Sequence, residues 1–199
     1  MGTKRASLVQ QRQSPLRERY RSAAAEALIS DSAQTLNACE GDPFHGTVVP
    51  RNGADAPLRF GIHRAVGGFH DLPNPGDLLC AALAACLDST LRMLAEHLGI
   101  ELESVLIKVD ADCDVRGCLL VARSVPVGFQ RMRCSVHLQP RGDIAAEALQ
   151  TLVAAAESSC VVLQTLRNGV AVQTRIETTG PAPADLALGP FHPTPVTAA

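Results

Sequence analysis

The 199-residue chain is 46% hydrophobic and 3% aromatic, and its 18 basic residues against 20 acidic ones leave a net charge of −2. Such a chain buries a sizeable core as one large or two small domains, and neither a global positive field nor a supply of stacking rings marks nucleic acid as its main ligand. Seven cysteines cannot all pair within one chain, which excludes a complete disulfide scaffold and points to a reducing compartment.

The first 22 residues carry Lys4, Arg5, Arg12, Arg17, Arg19 and Arg21 without an apolar run of secretory type, and Ala6 breaks a myristoylation pattern. The longest apolar stretch, Leu78 to Leu87, is about half of what crossing a bilayer requires. The expected location is cytoplasmic. Within this arm, Leu16, Tyr20, Ala23, Ala24, Ala27 and Leu28 recur at helical spacing, predicting an amphipathic helix over Pro15–Ile29 with its arginines in solvent. Gln34–Cys39 and Thr47–Arg51 read as a hairpin around the turn formers Glu40-Gly41-Asp42-Pro43. Asn52-Gly53 then leads to a third strand over Leu58–His63, followed by the Gly67-Gly68 pair.

Asn74-Pro75-Gly76-Asp77 is a helix-entry signal, and the helix runs over Leu78–Leu98 to the C-terminal stop Gly99. Its first half is apolar all round, predicting enclosure on every side. Ser104–Cys113, Leu119–Arg123 and Met132–Leu138 read as a meander; Ile144–Ala156 as a helix started near Asp143; and Val161–Leu166 as a short helix ended by Asn168-Gly169. Val170–Glu177 alternates as a last strand. Runs of strands separated by helices, without strict alternation, give an α+β architecture with antiparallel sheet.

Cys39, Cys80, Cys113, Cys118 and Cys134 read as small packing residues, the usual role of free cysteine. Cys86 differs because Asp88, Ser89 and Thr90 bring polar groups to an apolar helix beside it. Cys160 follows Ser158 and Ser159 at a helix break, where N–H groups and the helix dipole favour a thiolate able to attack a peroxide or disulfide. Metal binding has no support: the chain lacks C-x-x-C and H-E-x-x-H, and its six histidines are scattered. A phosphate-binding loop, a G-x-S-x-G elbow and a dinucleotide fingerprint are likewise missing, and no cofactor is expected.

Asn74-Pro75-Gly76-Asp77-Leu78-Leu79 with Ala81, Ala82, Ala84, Ala85 and Cys86, together with Cys160-Val161-Val162-Leu163-Gln164-Thr165-Leu166, resembles the OsmC/Ohr family of thiol-dependent hydroperoxide reductases. The resemblance spans about Gln34 to Glu177, and Gly61-Ile62-His63, Asp114-Val115-Arg116-Gly117 and Pro126-Val127-Gly128-Phe129 align the chain with a longer OsmC-like branch. It implies an intertwined homodimer in which antiparallel β-sheets wrap central helices. With the polar arm and the Pro-rich residues that lack periodicity, the expected division is an arm over 1–30, an OsmC-like domain over 31–178 and a mobile tail over 179–199. By the same resemblance, Cys86 attacks an organic hydroperoxide, Cys160 resolves the sulfenic acid as a disulfide, and a dithiol reductant restores both thiols in oxidative-stress defence.

The chain departs from the family at two points. The Glu that follows the family's Asn-Pro is replaced by Gly76, with Asp77 one residue on. The first hairpin turn carries no Arg, leaving His45 there and His63, Arg51, Arg59 and Arg64 nearby in sequence as candidate supporting groups. Loss of a charge-assisted partner weakens thiolate activation. The alternative expectation is a small-ligand binding protein of the same fold with weak or no peroxidase activity.

Overall fold

A computed structural model describes residues 6–36, 41–51 and 56–176. The described chain forms two compact units, one comprising residues up to Ile29 with Gly76–Val170, the other Ser30–Pro75 with the residues from Ala171. Cys39, the Asn52-Gly53 turn and the Pro-rich tail lie outside the described residues.

The first unit opens with α1 (Leu8–Ser22), which begins seven residues before Pro15 and includes it rather than starting there. The signal passed over in the sequence is a capping box: Ser7 Oγ accepts from the Gln10 amide, and the Gln10 side chain accepts from the Ser7 amide. A separate 3-10 turn follows at Ala24–Ala27. No acidic residue stands in the first turn of α1, and Glu96 supplies one from elsewhere, accepting from Val9 N–H.

Helix α2 (Pro75–Leu98) spans 24 residues. It ends in a Schellman motif: Gly99, at φ +72°, donates to Glu96 O while Ile100 donates to Ala95 O. Strands β4 (Leu102–Asp112) and β5 (Arg131–Pro140) pair antiparallel, with a register shift at Leu102/Ser104. Helices α3 (Ala146–Ser159) and α4 (Val161–Asn168) follow, bent by 65° at Cys160. Leu83, Leu87, Leu91 and Ala95 of α2, spaced by four, form one buried stripe with Leu152 and Ala156 of α3, Cys160, and Leu163 of α4. Val105, Ile107 and Val109 of β4 and Met132, Val136 and Leu138 of β5 pack against that cluster. The two-residue period puts all six on one sheet face.

The second unit carries a three-stranded antiparallel sheet in the order β1 (Ser32–Thr35), β2 (Gly46–Arg51), β3 (Leu58–Phe60). Ser32 pairs with Arg51 and Thr35 with Val48, and Gly46 pairs with Phe60. Residues 61–74 then lead to α2 through a 3-10 turn at Arg64–Val66.

Several expectations are corrected. Residues 119–123 form turns, not a middle strand: Leu119, Leu120 and Val121 bond back to Val115, Gly117 and Arg116, and their side chains are exposed, so β4 and β5 pair directly. Residues 170–176 are likewise not a strand: Val170, Val172 and Ile176 alternate in sequence but lie exposed and join no ladder among the described residues. The α3 start is at Ala146, and neither Asp143 nor Ala145 supplies a side-chain cap. Within the chain α2 is not enclosed all round, because Ala81, Ala82, Ala85 and Ser89 are exposed opposite the leucine stripe. As a whole helix, unlike the ten-residue apolar run inside it, α2 is long and apolar enough to cross a bilayer by length and composition. Cys113, Cys118 and Cys134, expected as packing residues, are exposed, and Cys80 is half-buried.

Candidate functional site

Seventy-four residues apart in sequence, Cys86 and Cys160 meet because the α2 stripe packs on the α3–α4 junction. Cys86, one residue before Leu87, packs against the buried cluster at the side of that stripe and is half-buried. Cys160 is fully buried at 0% exposure, and its extended backbone (φ −75°, ψ 110°) ends α3 and begins α4. Burial pushes the Cys160 thiol above its ordinary value. The amides of Leu163 and Val162 oppose this without closing a capping hydrogen bond of normal geometry, and the neighbouring Cys86 thiol raises it further through hydrogen bonding and charge. The helix-terminus effect foreseen from the sequence is therefore present but outweighed by desolvation.

Thr90 is the one buried polar side chain among the described residues, and its Oγ1 donates to Cys86 O at 2.7 Å. Ser89 Oγ donates to the same carbonyl at 3.0 Å. This back-bonding, one turn after the cysteine, satisfies the buried Thr90 hydroxyl inside an apolar setting, whereas Ser89 is exposed. The spacing of Thr90 four residues from Cys86 was the sequence signal for it.

A cavity of about 500 Å³ lies between α2, β5 and α4; Cys134 is in its lining, and Cys86 and Cys160 are not. Leu83 and Leu163, one turn from Cys86 and Cys160 respectively, form part of its wall, with Leu79, Met132 and Leu166. The size suits a small organic molecule. Arg167 and Glu157, paired at 3.0 Å, add charge to the lining, as does Arg131, paired with Asp112 at 2.7 Å.

The other sequence candidates are Asp77 of α2 and residues of the second unit. Asp77, in the first turn of α2, is nine residues and about 13.5 Å of helix rise from Cys86. The thiol it influences is Cys80, raised by burial first and then by Asp77 and Asp110. In the second unit, His45 lies between two carboxylates, 2.7 Å from Asp42 and 3.0 Å from Asp71, and Arg59 favours the charged form of Asp71. His63 Nδ1 accepts from Ala65 N–H at the start of the 3-10 turn, next to Arg64, and its ring lies 4.3 Å from that of His70. Arg51 ends β2. Sequence reasoning named His45 but neither of its carboxylate partners. Among the described residues no group of three His, Cys, Asp or Glu side chains is arranged to hold a metal ion.

Residues 68–175 match the family model described as OsmC-like protein. That stretch covers more than half of the chain and contains both α2 and the α3–α4 junction. The chain belongs to the OsmC-like protein family. No curated protein matches the sequence. Solved structures place this OsmC-like chain in the same fold at low identity. An organic hydroperoxide resistance protein OsmC from Legionella pneumophila, described also as a predicted redox protein, is 24% identical, with a TM-score of 0.52 over 71% of this chain and 91% of that one. An organic hydroperoxide resistance protein from Elizabethkingia anophelis is 20% identical, with a TM-score of 0.52 over 71% and 91%. An OsmC-like protein from Mycoplasma pneumoniae is 11% identical, with a TM-score of 0.56 over 71% and 89%. The α+β fold with antiparallel sheets is thus that of the OsmC-like family, whereas α1 lies outside the stretch that the family model covers.

Proposed function

We propose that this OsmC-like protein reduces organic hydroperoxides with Cys86 as the attacking and Cys160 as the resolving cysteine. The observation that carries the reading is the meeting of these two thiols at the α2/α3–α4 junction, the half-buried one on a helix face and the other wholly enclosed. That the Legionella and Elizabethkingia proteins are organic hydroperoxide resistance proteins supports the substrate class.

In this mechanism the Cys86 thiolate attacks the peroxide of ROOH, the O–O bond breaks, and the alkoxide leaves with a proton as ROH, so that Cys86 becomes a sulfenic acid. The Cys160 sulfur then attacks Sγ of that sulfenic acid and water departs, leaving a Cys86–Cys160 disulfide. Thiolate exchange with an external dithiol returns both cysteines to thiols, and the dithiol leaves as a disulfide. Burial of Cys160 suits the second role: held as a thiol and shielded from solvent, it reacts when Cys86 presents a sulfenic acid beside it. Leu79, Leu83, Met132, Leu163 and Leu166 in the wall of the cavity between α2, β5 and α4 suit an organic substituent on the peroxide, while Arg131, Glu157 and Arg167 add charge to the rest of its lining.

The reading also includes a homodimer, a cytoplasmic setting and the domain division into an arm (1–30), an OsmC-like body (31–178) and a tail (179–199). The exposed stripe of Ala81, Ala82 and Ala85, with Ser89, supports the dimer, since small apolar residues on a central helix allow a second copy to approach closely. The decisive experiment follows consumption of cumene hydroperoxide in the presence of dithiothreitol and, in a separate sample freed of dithiothreitol and given one equivalent of the peroxide, mass spectrometry of the protein product. Wild-type protein turns over and yields the Cys86–Cys160 disulfide. Cys86→Ser falls to the uncatalysed rate, and Cys160→Ser accumulates sulfenic acid at Cys86. Equal rates for wild type and Cys86→Ser refute the reading.

A further inference from the structure

Both ring nitrogens of His45 face carboxylates. Nδ1 lies 2.7 Å from Asp42 Oδ2, and Nε2 lies 3.0 and 3.1 Å from the two oxygens of Asp71. Ionised carboxylates only accept hydrogen bonds, so both contacts are satisfied together only when both ring nitrogens carry protons. A neutral imidazole has one N–H, and its other nitrogen then turns a lone pair toward a carboxylate. The two partners differ in reach. Asp42 is three residues back in the turn that enters β2, whereas Asp71 lies 26 residues on, in the connection between β3 and α2.

The ring is seated as well as bonded. It stacks on Phe69 of the same connection at 5.7 Å and 7°, and Phe44 meets Phe69 edge-on at 5.5 Å. Behind it, a Cβ added at Gly61 falls 3.4 Å from Asp71 Oδ1 and 3.6 Å from His45 Cδ2, so the pair rests directly on the Gly61 backbone. Gly61 N–H in turn donates to Pro73 O, and His70 N–H donates to Ile62 O, closing residues 61–73 into a loop that Asp71 ties to His45.

We propose that His45 is a proton-operated latch: as the imidazolium it joins Asp42 to Asp71 and fastens the 61–74 connection to the turn before β2, and on losing its proton it keeps the local Asp42 contact, releases Asp71 and frees the connection.

The surrounding charges favour the closed form. Asp71 and then Asp42 hold His45 above the ordinary histidine value of 6.5, against a smaller opposing effect of burial. His45 in return holds both carboxyls below their usual range, and Arg59 of β3 adds to this at Asp71. The other imidazoles of the connection, His63 and His70, face each other, and Arg64 lies in the exposed 3-10 turn. A raised histidine value means that the latch contributes fully below 6.5 and is lost as pH rises through the elevated value, so it opens on the alkaline side.

The test uses the full chain, with NMR titration of the histidine Cε1–H signals and hydrogen exchange of residues 61–74 corrected for intrinsic rates, over about pH 5.5 to 9.5. The expected wild-type result is a His45 midpoint above 6.5 and a several-fold rise in exchange at Gly61 and His70 across that midpoint. Asp71→Asn, at a half-exposed side chain, moves both the midpoint and the exchange transition downward together. His45→Gln gives fast exchange with no transition. A histidine that merely fills space changes the level of exchange without a transition tracking its own titration. A wild-type transition that is missing, or that stays in place in Asp71→Asn, overturns the latch. Neither readout depends on hydroperoxide turnover.

Discussion

Leu91 is the most direct test of the packing that brings the two thiols together. It is 0% exposed on the α2 stripe, in one cluster with Leu87, Ala95, Leu152 and Ala156. Leu91→Ala removes three carbon atoms, worth about 2.4 kcal/mol at roughly 0.8 kcal/mol per buried methylene. A cavity left by incomplete relaxation brings the total to about 3–4 kcal/mol. At roughly 2–4 °C per kcal/mol for a chain of this size, the melting temperature falls by about 10 °C. Urea unfolding followed by circular dichroism, at one fixed protein concentration with dithiothreitol present, measures the loss directly. The same substitution at Leu28, 83% exposed, is the reference and costs within about 0.5 kcal/mol of nothing. A loss below about 1 kcal/mol for Leu91→Ala means that α2 does not pack on α3 through this stripe, and the argument for the thiol pair falls with it.

Gly99→Ala places a side chain at φ +72° in the Schellman turn and costs about 1–2 kcal/mol by thermal unfolding; an unchanged melting temperature contradicts that geometry. Asp112 accepts from Arg131 at 2.8 Å and from Arg133 at 2.6 Å, which hold its carboxyl well below the ordinary 3.8. Its contribution is present above 3.8 and fades as pH falls through the depressed value, so urea midpoints between about pH 2 and 5 should fall less steeply for Asp112→Asn than for wild type, and less steeply again in high salt. Cys160, wholly buried and with a raised thiol, should alkylate last in native protein treated with iodoacetamide at about pH 8, after the exposed Cys113 and Cys118; peptide mapping showing Cys160 first contradicts its placement.

The elements that carry their own punctuation were legible in the sequence. Asn74-Pro75 and Gly99 bracket α2 and Asn168-Gly169 ends α4, whereas the first strand stands at Ser32–Thr35 and not at Gln34–Cys39, whose last three residues lie outside the described residues. Legibility failed where a pattern needed a partner elsewhere. Leu119–Arg123 and Val170–Glu177 have strand-like composition, but a strand exists only when another offers a ladder, and neither segment finds one among the described residues. The capping box at Ser7 and Gln10 was readable and was masked by the expectation that Pro15 starts a helix, although proline is also tolerated within one at the cost of a hydrogen bond. Cys86 and Cys160 stood out through their local settings. The exposure of Cys113, Cys118 and Cys134 did not, because strand alternation says which residues share a face and not whether that face is covered. The Asp42–His45–Asp71 arrangement joins residues across a 26-residue separation, and no spacing rule anticipates it.

The connection between β4 and β5 bears on how the chain tolerates change. Residues 113–130 leave the sheet at Asp112 and return at Arg131, and the exit is closed by Gln130 N–H donating to Asp112 O and by Asp114 N–H donating to the Gln130 side chain. Loop-closure entropy grows only logarithmically, by roughly 0.6 kcal/mol for each doubling of length. With its base stapled and Leu119–Val121 out in solvent, this connection is the place where a reporter peptide can be grafted into the protein without disturbing the strands it joins.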